Sequence, residues 1–178
     1  QVWAISPGSD RAGSALYRIE VTCGPGGSMK ILNAPIPPGF KESVRYGEQN
    51  LYVRSRELVG DRDPRAHEFS IQMRALDADT SGGGLGLPIL IALCSSLIER
   101  SIKGGLVMVG ALNLGGSVEL LPNPVSVAEL AIEKGAQILL MPVSSRKQLF
   151  DLPDDLATKI SIEFYSDAVD ALVKAVLE

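Results

Sequence analysis

The chain has 178 residues, of which 46% are hydrophobic and 21% charged, and its formal net charge is -4. This length suits one domain with a sizeable core, and this composition excludes a disordered chain. The net negative charge argues against nucleic-acid binding through bulk charge. The two cysteines, Cys23 and Cys94, are too few for a disulfide framework and favour a reducing, cytoplasmic setting.

The N-terminal part carries the patterns of β-strands. Residues 2–5 are β-rich, residues 17–21 alternate apolar and polar side chains, and residues 29–32 form another short strand-like segment. Alternation with a period of two is typical of a half-buried strand, and the glycine-rich residues 24–27 predict a turn. We therefore expect an antiparallel meander, which the prolines that follow bring to an end.

Residues 41–58 change to helical spacing. Val44, Leu51 and Leu58 share one face, and Gly60 follows the segment, as a C-terminal glycine commonly does. This region also groups five basic residues, Arg45, Arg54, Arg56, Arg62 and Arg65, which could line a nucleic-acid path. Acidic residues interleave with them at Glu48, Glu57, Asp61 and Asp63. The mixture of signs favours a solvated helix face over a nucleic-acid path.

The only histidine, His67, precedes a predicted strand at residues 69–73. It has no second histidine with which to bind a metal ion, and there is no nearby nucleophile that it could deprotonate as a general base. We therefore assign it no role in a site.

The centre of the chain joins a polar, glycine-dense turn at residues 77–84 to an apolar run at residues 85–97. The run is too short to cross a bilayer, which needs about 20 apolar residues. Its spacing predicts a helix buried on most faces, with Pro88 in the first turn. The junction is thus the N-terminus of a core helix, where free N–H groups and the helix dipole can stabilise an anion.

Three well-known loop motifs do not fit this junction. A phosphate loop needs Gly-Lys-Ser/Thr at the start of the helix, where Leu87 and Pro88 stand. The dinucleotide fingerprint fails because Leu87 occupies its third glycine position, and a nucleophile elbow fails because Ser81 lacks the preceding glycine. The residues alone therefore predict a tight turn whose glycines let backbone segments pack closely.

The second half of the chain alternates strands and helices. Buried strands are predicted at residues 106–109 and 138–141, and a helix with Asn123 as N-cap and Pro124 at its first position lies between them and runs to Lys134. An irregular hairpin at 110–120, a short polar helix near 144–150, a strand at 160–165 and a last helix from Asp167 complete the pattern. The predicted fold class is α/β, or α+β, with antiparallel N-terminal strands followed by strand–helix units around a central buried helix.

Several stretches, in this order, resemble the Lon protease proteolytic domain: residues 92–93, 107–110, 112–116, 123–135 and 138–142. Residues 41–43 and 52–56 resemble the family's preceding helix. The resemblance covers nearly the whole chain, from about Trp3 to the last helix, and implies one Lon-like domain over residues 1–178. It also implies an activity, because this family cuts peptides with a Ser–Lys dyad.

The resemblance further implies where the dyad would stand. The family's serine lies in a turn at the start of the central helix, and ungapped alignment puts Gly84 there. Its lysine opens the next helix, where the alignment puts Val125, and a family glutamate becomes Ala111. Glycine has no nucleophilic atom and valine cannot transfer a proton. We therefore expect a backbone-lined junction with no hydroxyl and amine within bonding distance.

Three neighbouring residues are the fallback candidates for a displaced dyad. Ser81 precedes the turn's Gly84, Ser126 points about 100° round the helix from Val125, and Lys103 follows the far end of the central helix, about 25 Å away. At these separations in the sequence, no serine and lysine are expected to lie together, unless the alignment with the family is shifted. Two readings stay open: a non-catalytic scaffold or oligomerisation domain, and an active Lon-type ATP-dependent serine peptidase with a displaced dyad.

Among Lon-like proteins, residues 80–88, 120–124 and 127–131 most resemble the AAA+ proteins of bacterial BREX phage-defence systems. The chain opens at Gln1 without a methionine, so we expect the C-terminal part of a longer AAA+ protein. The resemblance implies an upstream ATPase ring, a homo-oligomer that binds ATP and Mg²⁺ and acts on DNA. In this domain itself we expect no cofactor, no metal and no contact with a membrane.

Overall fold

The structure is a computed structural model that describes residues 1–7, 15–76, 82–151 and 153–176. Its strands are β1 (Val2–Ser6), β2 (Ala15–Pro25), β3 (Met29–Ile31), β4 (His67–Ala75), β5 (Leu106–Met108), β6 (Ile138–Pro142) and β7 (Ser161–Tyr165). Its α-helices are α1 (Pro38–Val53), α2 (Ser55–Val59), α3 (Gly86–Ile98), α4 (Pro124–Glu133), α5 (Asp154–Ala157) and α6 (Ala168–Ala175). Pro64–Ala66 and Val143–Asp151 form 3-10 helices.

The strands form one mixed sheet in the order β3-β4-β2-β1-β5-β6-β7. β2 pairs antiparallel with β1 and with β4. β1 pairs parallel with β5, and β6 pairs parallel with both β5 and β7. The parallel half is built by the alternating strands and helices of the second half of the chain, since parallel neighbours need a crossover connection. The predicted α/β class with antiparallel N-terminal strands is therefore confirmed.

The predicted meander is wrong at β3. β3 lies beside β4 and runs parallel to it, with Met29 opposite Phe69, and it does not pair with β2. The predicted turn at residues 24–27 is reduced to a bend at Gly26 and Gly27, since β2 continues to Pro25. β1 and β4 already occupy the two edges of β2. The third strand therefore takes the free edge of β4, where the N–H of Phe69 also donates to the Ser28 carbonyl at 2.9 Å.

The sheet buries both of its faces in the parallel half. Along β1, Val2 and Ala4 join the cluster that contains α1, α3 and α6, whereas Trp3 and Ile5 join a second cluster with α4. This division follows from the alternation of side chains along a strand. The first cluster is the larger one, and α3 lies at its centre.

α3 is confirmed as the central buried helix. Every residue from Gly86 to Ser95, and Leu97, is buried, and a fully buried leucine or isoleucine contributes about 1.5–3 kcal/mol to folding. α1 crosses α3 closely at Gly47, where a Cβ atom would lie 2.9 Å from Ile89 Cγ2. No helix within the described ranges is long and apolar enough to span a membrane.

The helix predicted at residues 41–58 is divided into α1 and α2. Arg54 leaves the helical conformation between them, with φ of -114° and ψ of 24°. Its guanidinium reaches the Gly115 carbonyl and also donates to Asn50 Oδ1. The break therefore lies where an arginine fixes the neighbouring hairpin, which helical periodicity does not reveal.

Candidate functional site

The loop that leads into α3 has a glycine-dependent backbone. Gly82 and Gly84 have φ angles of 68° and 71°, in the left-handed region that favours glycine. A Cβ atom on Gly82 would lie 2.7 Å from both Phe40 Cβ and Met73 Sδ. The glycines are thus needed for a backbone turn that lies directly on the core.

Three hydroxyl groups fasten this loop to the surrounding elements. Ser43 Oγ, on α1, donates to the Gly82 carbonyl at 3.0 Å and accepts from the N–H of Leu85 at 3.2 Å. Ser6 Oγ donates to the Gly83 carbonyl at 2.6 Å, and the N–H of Gly82 donates to Tyr17 Oη at 3.3 Å. The loop is therefore held by hydroxyl–backbone hydrogen bonds from β1, β2 and α1.

Ser6 and Ser43 are the site residues that the sequence analysis missed. We expected a backbone-lined junction with no hydroxyl and amine within bonding distance of each other, and we did not foresee these two hydroxyls, whose hydrogen bonds are directed at loop backbone. Ser43 could have been found, because it shares the inward face of α1 with Phe40, Val44 and Gly47. A buried serine on such a face needs a hydrogen-bond partner, and Ser43 has one in the Gly82 carbonyl of the loop.

Gly84 lies against Pro7, which links the loop to α4. A Cβ atom on Gly84 would lie 3.2 Å from Pro7 Cδ, and the Pro7 carbonyl accepts a hydrogen bond from Asn123 Nδ2 at 2.9 Å. Asn123 occupies the N-cap position as predicted, but its side chain makes no cap hydrogen bond. The start of α4 is therefore brought toward Gly84 through Pro7.

The remaining predicted site residues lie apart from one another. Val125 is half-buried and packs on the second hydrophobic cluster, and Ser126 beside it is exposed. Lys103 follows the other end of α3, where its N–H donates to the Ala175 carbonyl at 2.8 Å, and the 13 residues of α3 span about 20 Å. Ser81 lies outside the described residues.

A cavity of about 220 Å³ opens beside the glycine loop. It lies between α1, the start of α3 and the hairpin after β5, and its lining residues are Gly39, Glu42, Ser43, Tyr46, Gly83, Gly84, Gly86, Ala111, Leu112 and Glu119. The hairpin packs on α3 at Gly86, where a Cβ atom would lie 3.2 Å from the Leu112 nitrogen. Ala111, the position of the family's glutamate in our alignment, brings no carboxylate, whereas Glu42 and Glu119 do.

Tyr165 holds the segment that leads from β5 into the hairpin. Its hydroxyl donates to the Val109 carbonyl at 2.7 Å, and burial holds the pKa of Tyr165 well above its usual value of 10.0. The adjacent Gly110 carbonyl accepts from the N–H of Leu87 at 3.2 Å. This tyrosine therefore acts as a neutral structural donor rather than as an acid or base.

Outside the cavity, the charged region around α2 is largely engaged in structural contacts. Arg54 binds the Gly115 carbonyl, Arg62 donates to the Leu97 carbonyl at 2.8 Å, and Arg65 lies 4.6 Å from the centre of the Tyr52 ring. His67 Nδ1 lies 2.9 Å from the Asp63 carbonyl oxygen. In the ranges described, no group of three or more His, Cys, Asp or Glu side chains could hold a metal ion.

Comparisons with known proteins find relatives that match most of the chain. The Lon-like protease BrxL of Escherichia coli O9:H4 (strain HS) is 29% identical over 163 residues, which are 91% of this chain and 24% of that protein. BrxL of Bacillus cereus (strain H3081.97) is 24% identical over 135 residues, 76% of this chain and 20% of that protein. The Lon protease of Lawsonia intracellularis is 25% identical over 170 residues, 94% of this chain and 20% of that protein.

The chain therefore spans no more than 24% of the length of these relatives. The family model of the Lon protease (S16) C-terminal proteolytic domain matches residues 9–178. The match covers almost the whole chain, and the mixed sheet around a buried central helix is consistent with it. The chain belongs to the Lon protease (S16) C-terminal proteolytic domain family.

Proposed function

We propose that this domain is a non-catalytic Lon-like scaffold that supports oligomerisation of an AAA+ ATPase in bacterial phage defence of the BREX type. The observation that carries the proposal is Gly84, which stands at the aligned nucleophile position and offers no nucleophilic atom. Val125 at the aligned lysine position likewise offers no base.

The hydroxyls near Gly84 support the same conclusion. Ser43 is buried, and its oxygen both donates to and accepts from loop backbone. Ser6 is buried as well and donates to the Gly83 carbonyl. A serine nucleophile needs an exposed oxygen and a neighbouring base, whereas these two hydroxyls hold the loop in place.

The length of the relatives leaves room for further modules in a longer parent protein. The two BrxL proteins that match here are at least four times as long as the matched region, so a longer parent would have room for an ATPase module. We propose that such a module would bind ATP and Mg²⁺, form the ring and contact DNA. This domain would supply contacts between subunits of that ring, which we propose is cytoplasmic.

One surface is suited to such contacts. Val53 and Leu114 are 70% and 63% exposed, and they are the chain neighbours of Arg54 and Gly115, which are joined by a hydrogen bond. Each therefore lies next to this Arg54–Gly115 contact, and exposed apolar side chains are candidates for a protein contact.

A second candidate function is an active serine peptidase with a displaced dyad, built from Ser81 or Ser126 with Lys103. The names of the three relatives favour it, since each is called a Lon protease or a Lon-like protease. The separation of Lys103 from the glycine loop, at opposite ends of α3, counts against it.

Labelling with a fluorophosphonate probe, together with a casein-cleavage assay, decides between the two functions. We expect neither labelling nor cleavage. Labelling that Ser81→Ala or Ser126→Ala abolishes, accompanied by cleavage, would establish the peptidase and overturn the proposal. Ser43→Ala is the control for a serine that holds the loop without reacting.

The scaffold role is tested on the longer protein by its mass in solution. Deletion of residues 1–178 should reduce the size or order of the assembly, and Val53→Glu with Leu114→Glu should weaken it. The control is Leu32→Glu, at a residue that is 55% exposed beside the β3 edge of the sheet. An assembly of unchanged mass after the deletion contradicts a scaffold role.

A further inference from the structure

We propose that the cavity beside the glycine loop binds a basic side chain of a polypeptide, whose cation pairs with the carboxylates of Glu42 and Glu119. The inference rests on the proposed function, because a site that does not hydrolyse its occupant can hold it. It goes further by naming the chemistry of the occupant and the residues that select it.

The cavity has the shape and lining of a side-chain pocket. Its volume is about 220 Å³, and Gly83, Gly84 and Gly86 line it without adding side chains. Ala111 and Leu112 give it apolar walls, and Tyr46 adds an aromatic ring. Long basic side chains carry an apolar stem below a charged head, and such a head is attracted to a tyrosine face.

Two glutamates line this pocket from different elements. Glu42 comes from α1, and Glu119 comes from the hairpin, where its N–H donates to the Ala111 carbonyl at 2.8 Å. Among the described residues, the carboxylates that form ion pairs are those of Glu20, Glu68 and Asp170. Within the part of the chain that the structure describes, the side-chain carboxylates of Glu42 and Glu119 make no hydrogen bond and no ion pair, so no described cation of the chain neutralises them.

Other ligand classes fit these residues less well. A calcium ion takes six to eight oxygen ligands, and two carboxylates supply too few. A nucleic acid would bring phosphates toward the same two negative charges, which repel it. A lysine or arginine of an extended polypeptide satisfies both the charge and the apolar walls, and the net charge of -4 favours its approach.

The test is fluorescence anisotropy of the 178-residue chain with a fluorescein-labelled peptide of alanine and glycine that carries two central lysines. A peptide with norleucine in place of both lysines keeps the apolar stems and loses the cations. We expect the lysine peptide to bind and the norleucine peptide to bind about three- to ten-fold more weakly, which is the size expected for losing two partly exposed ion pairs.

The matched variants are Glu42→Gln/Glu119→Gln and Glu129→Gln/Glu133→Gln. Each pair removes two negative charges from exposed residues, and the second pair lies on α4 outside the cavity. Only the first pair should weaken binding of the lysine peptide, by about three- to ten-fold. Circular dichroism and urea unfolding should show both variants folded.

Three results would overturn the inference. The two double variants could lose the same affinity for the lysine peptide, the two peptides could bind equally well, or the lysine peptide could fail to bind. Peptide cleavage during the titration has a different meaning. If the peptide is bound through Glu42 and Glu119 and then cut, the pocket inference stands and the non-catalytic function fails. Mass spectrometry of the peptide after the titration distinguishes these two results.

Discussion

The glycine loop and the first turn of α4 carry the two positions at which the family's dyad is expected, and their backbones differ. At Gly84 the backbone is left-handed, with φ of 71°, and Pro7 lies close to where a side chain would start. At Val125 the backbone is an ordinary helix, and the side chain is only half-buried. The family's lysine could therefore be introduced at Val125 without strain, whereas the family's serine could be introduced at Gly84 only with strain.

The difference arises from what surrounds each segment. The loop is fastened by hydroxyls from three other elements and lies on Phe40 and Met73 in the main core. The first turn of α4 is joined to the loop region through Asn123 and Pro7, buries Pro124 and Val127, and faces solvent at Ser126. Tight packing turns a glycine into a structural requirement, whereas a helix surface tolerates substitution.

The largest effect is expected from Gly82→Ala. The new Cβ would lie 2.7 Å from Phe40 Cβ and Met73 Sδ, in a residue with φ of 68°. Left-handed backbone costs roughly 1–2 kcal/mol and overpacking costs roughly 1–3 kcal/mol, so the free energy of unfolding should fall by about 3 kcal/mol in urea denaturation. The control is Gly83→Ala, whose Cβ would meet nothing within 4 Å. Equal losses in both variants would show that the loop is not held against the core.

Ser43→Ala should have the next largest effect. It removes a donor to the Gly82 carbonyl and an acceptor for the Leu85 N–H in a buried site, which should lower the free energy of unfolding by about 2 kcal/mol. Ser126→Ala removes an exposed hydroxyl at the start of α4 and should change it by less than about 0.5 kcal/mol. A neutral Ser43→Ala would mean that the loop does not depend on α1.

Gly84→Ser tests the loop at the aligned nucleophile position. Its φ of 71° and a Pro7 Cδ at 3.2 Å from the new Cβ should lower the free energy of unfolding by about 1.5 kcal/mol. The protein should remain unreactive toward a fluorophosphonate, because no base lies beside the new hydroxyl. A stable and reactive Gly84→Ser would show that the lost side chain, and not the backbone, is the only barrier to catalysis.

The sequence predicts the parts of this fold that local pattern controls. The apolar run of α3 shows a helix buried on most faces, and the alternation of strands and helices after it predicts the parallel half of the sheet. The pairing of β3 was not predictable in this way. The turn before it fits a hairpin, but its partner β4 comes after α1 and α2 in the chain, and local pattern does not report which sheet edge is free.

The same limit applies to the candidate site. Gly84 and Val125 follow from aligning motif positions, which needs sequence alone. The roles of Ser6 and Ser43 depend on carbonyl groups that lie far away in the chain, and a hydroxyl's partner cannot be read from its neighbours. The convergence of Glu42 and Glu119 likewise depends on how the hairpin folds back beside α1.

The smallest effect is expected from Val125→Lys, which restores the family's residue type at the aligned lysine position. Val125 is half-buried on an ordinary helical backbone, and a lysine stem can cover apolar surface while its amine reaches water. The free energy of unfolding should therefore fall by no more than about 0.5 kcal/mol. The matched control is Val127→Lys in the same helix, where the side chain is 0% exposed and an unpaired charge should cost about 3 kcal/mol or more. A loss at Val125 as large as that at Gly84 would remove the contrast between the two segments, because the start of α4 would then be as constrained as the loop.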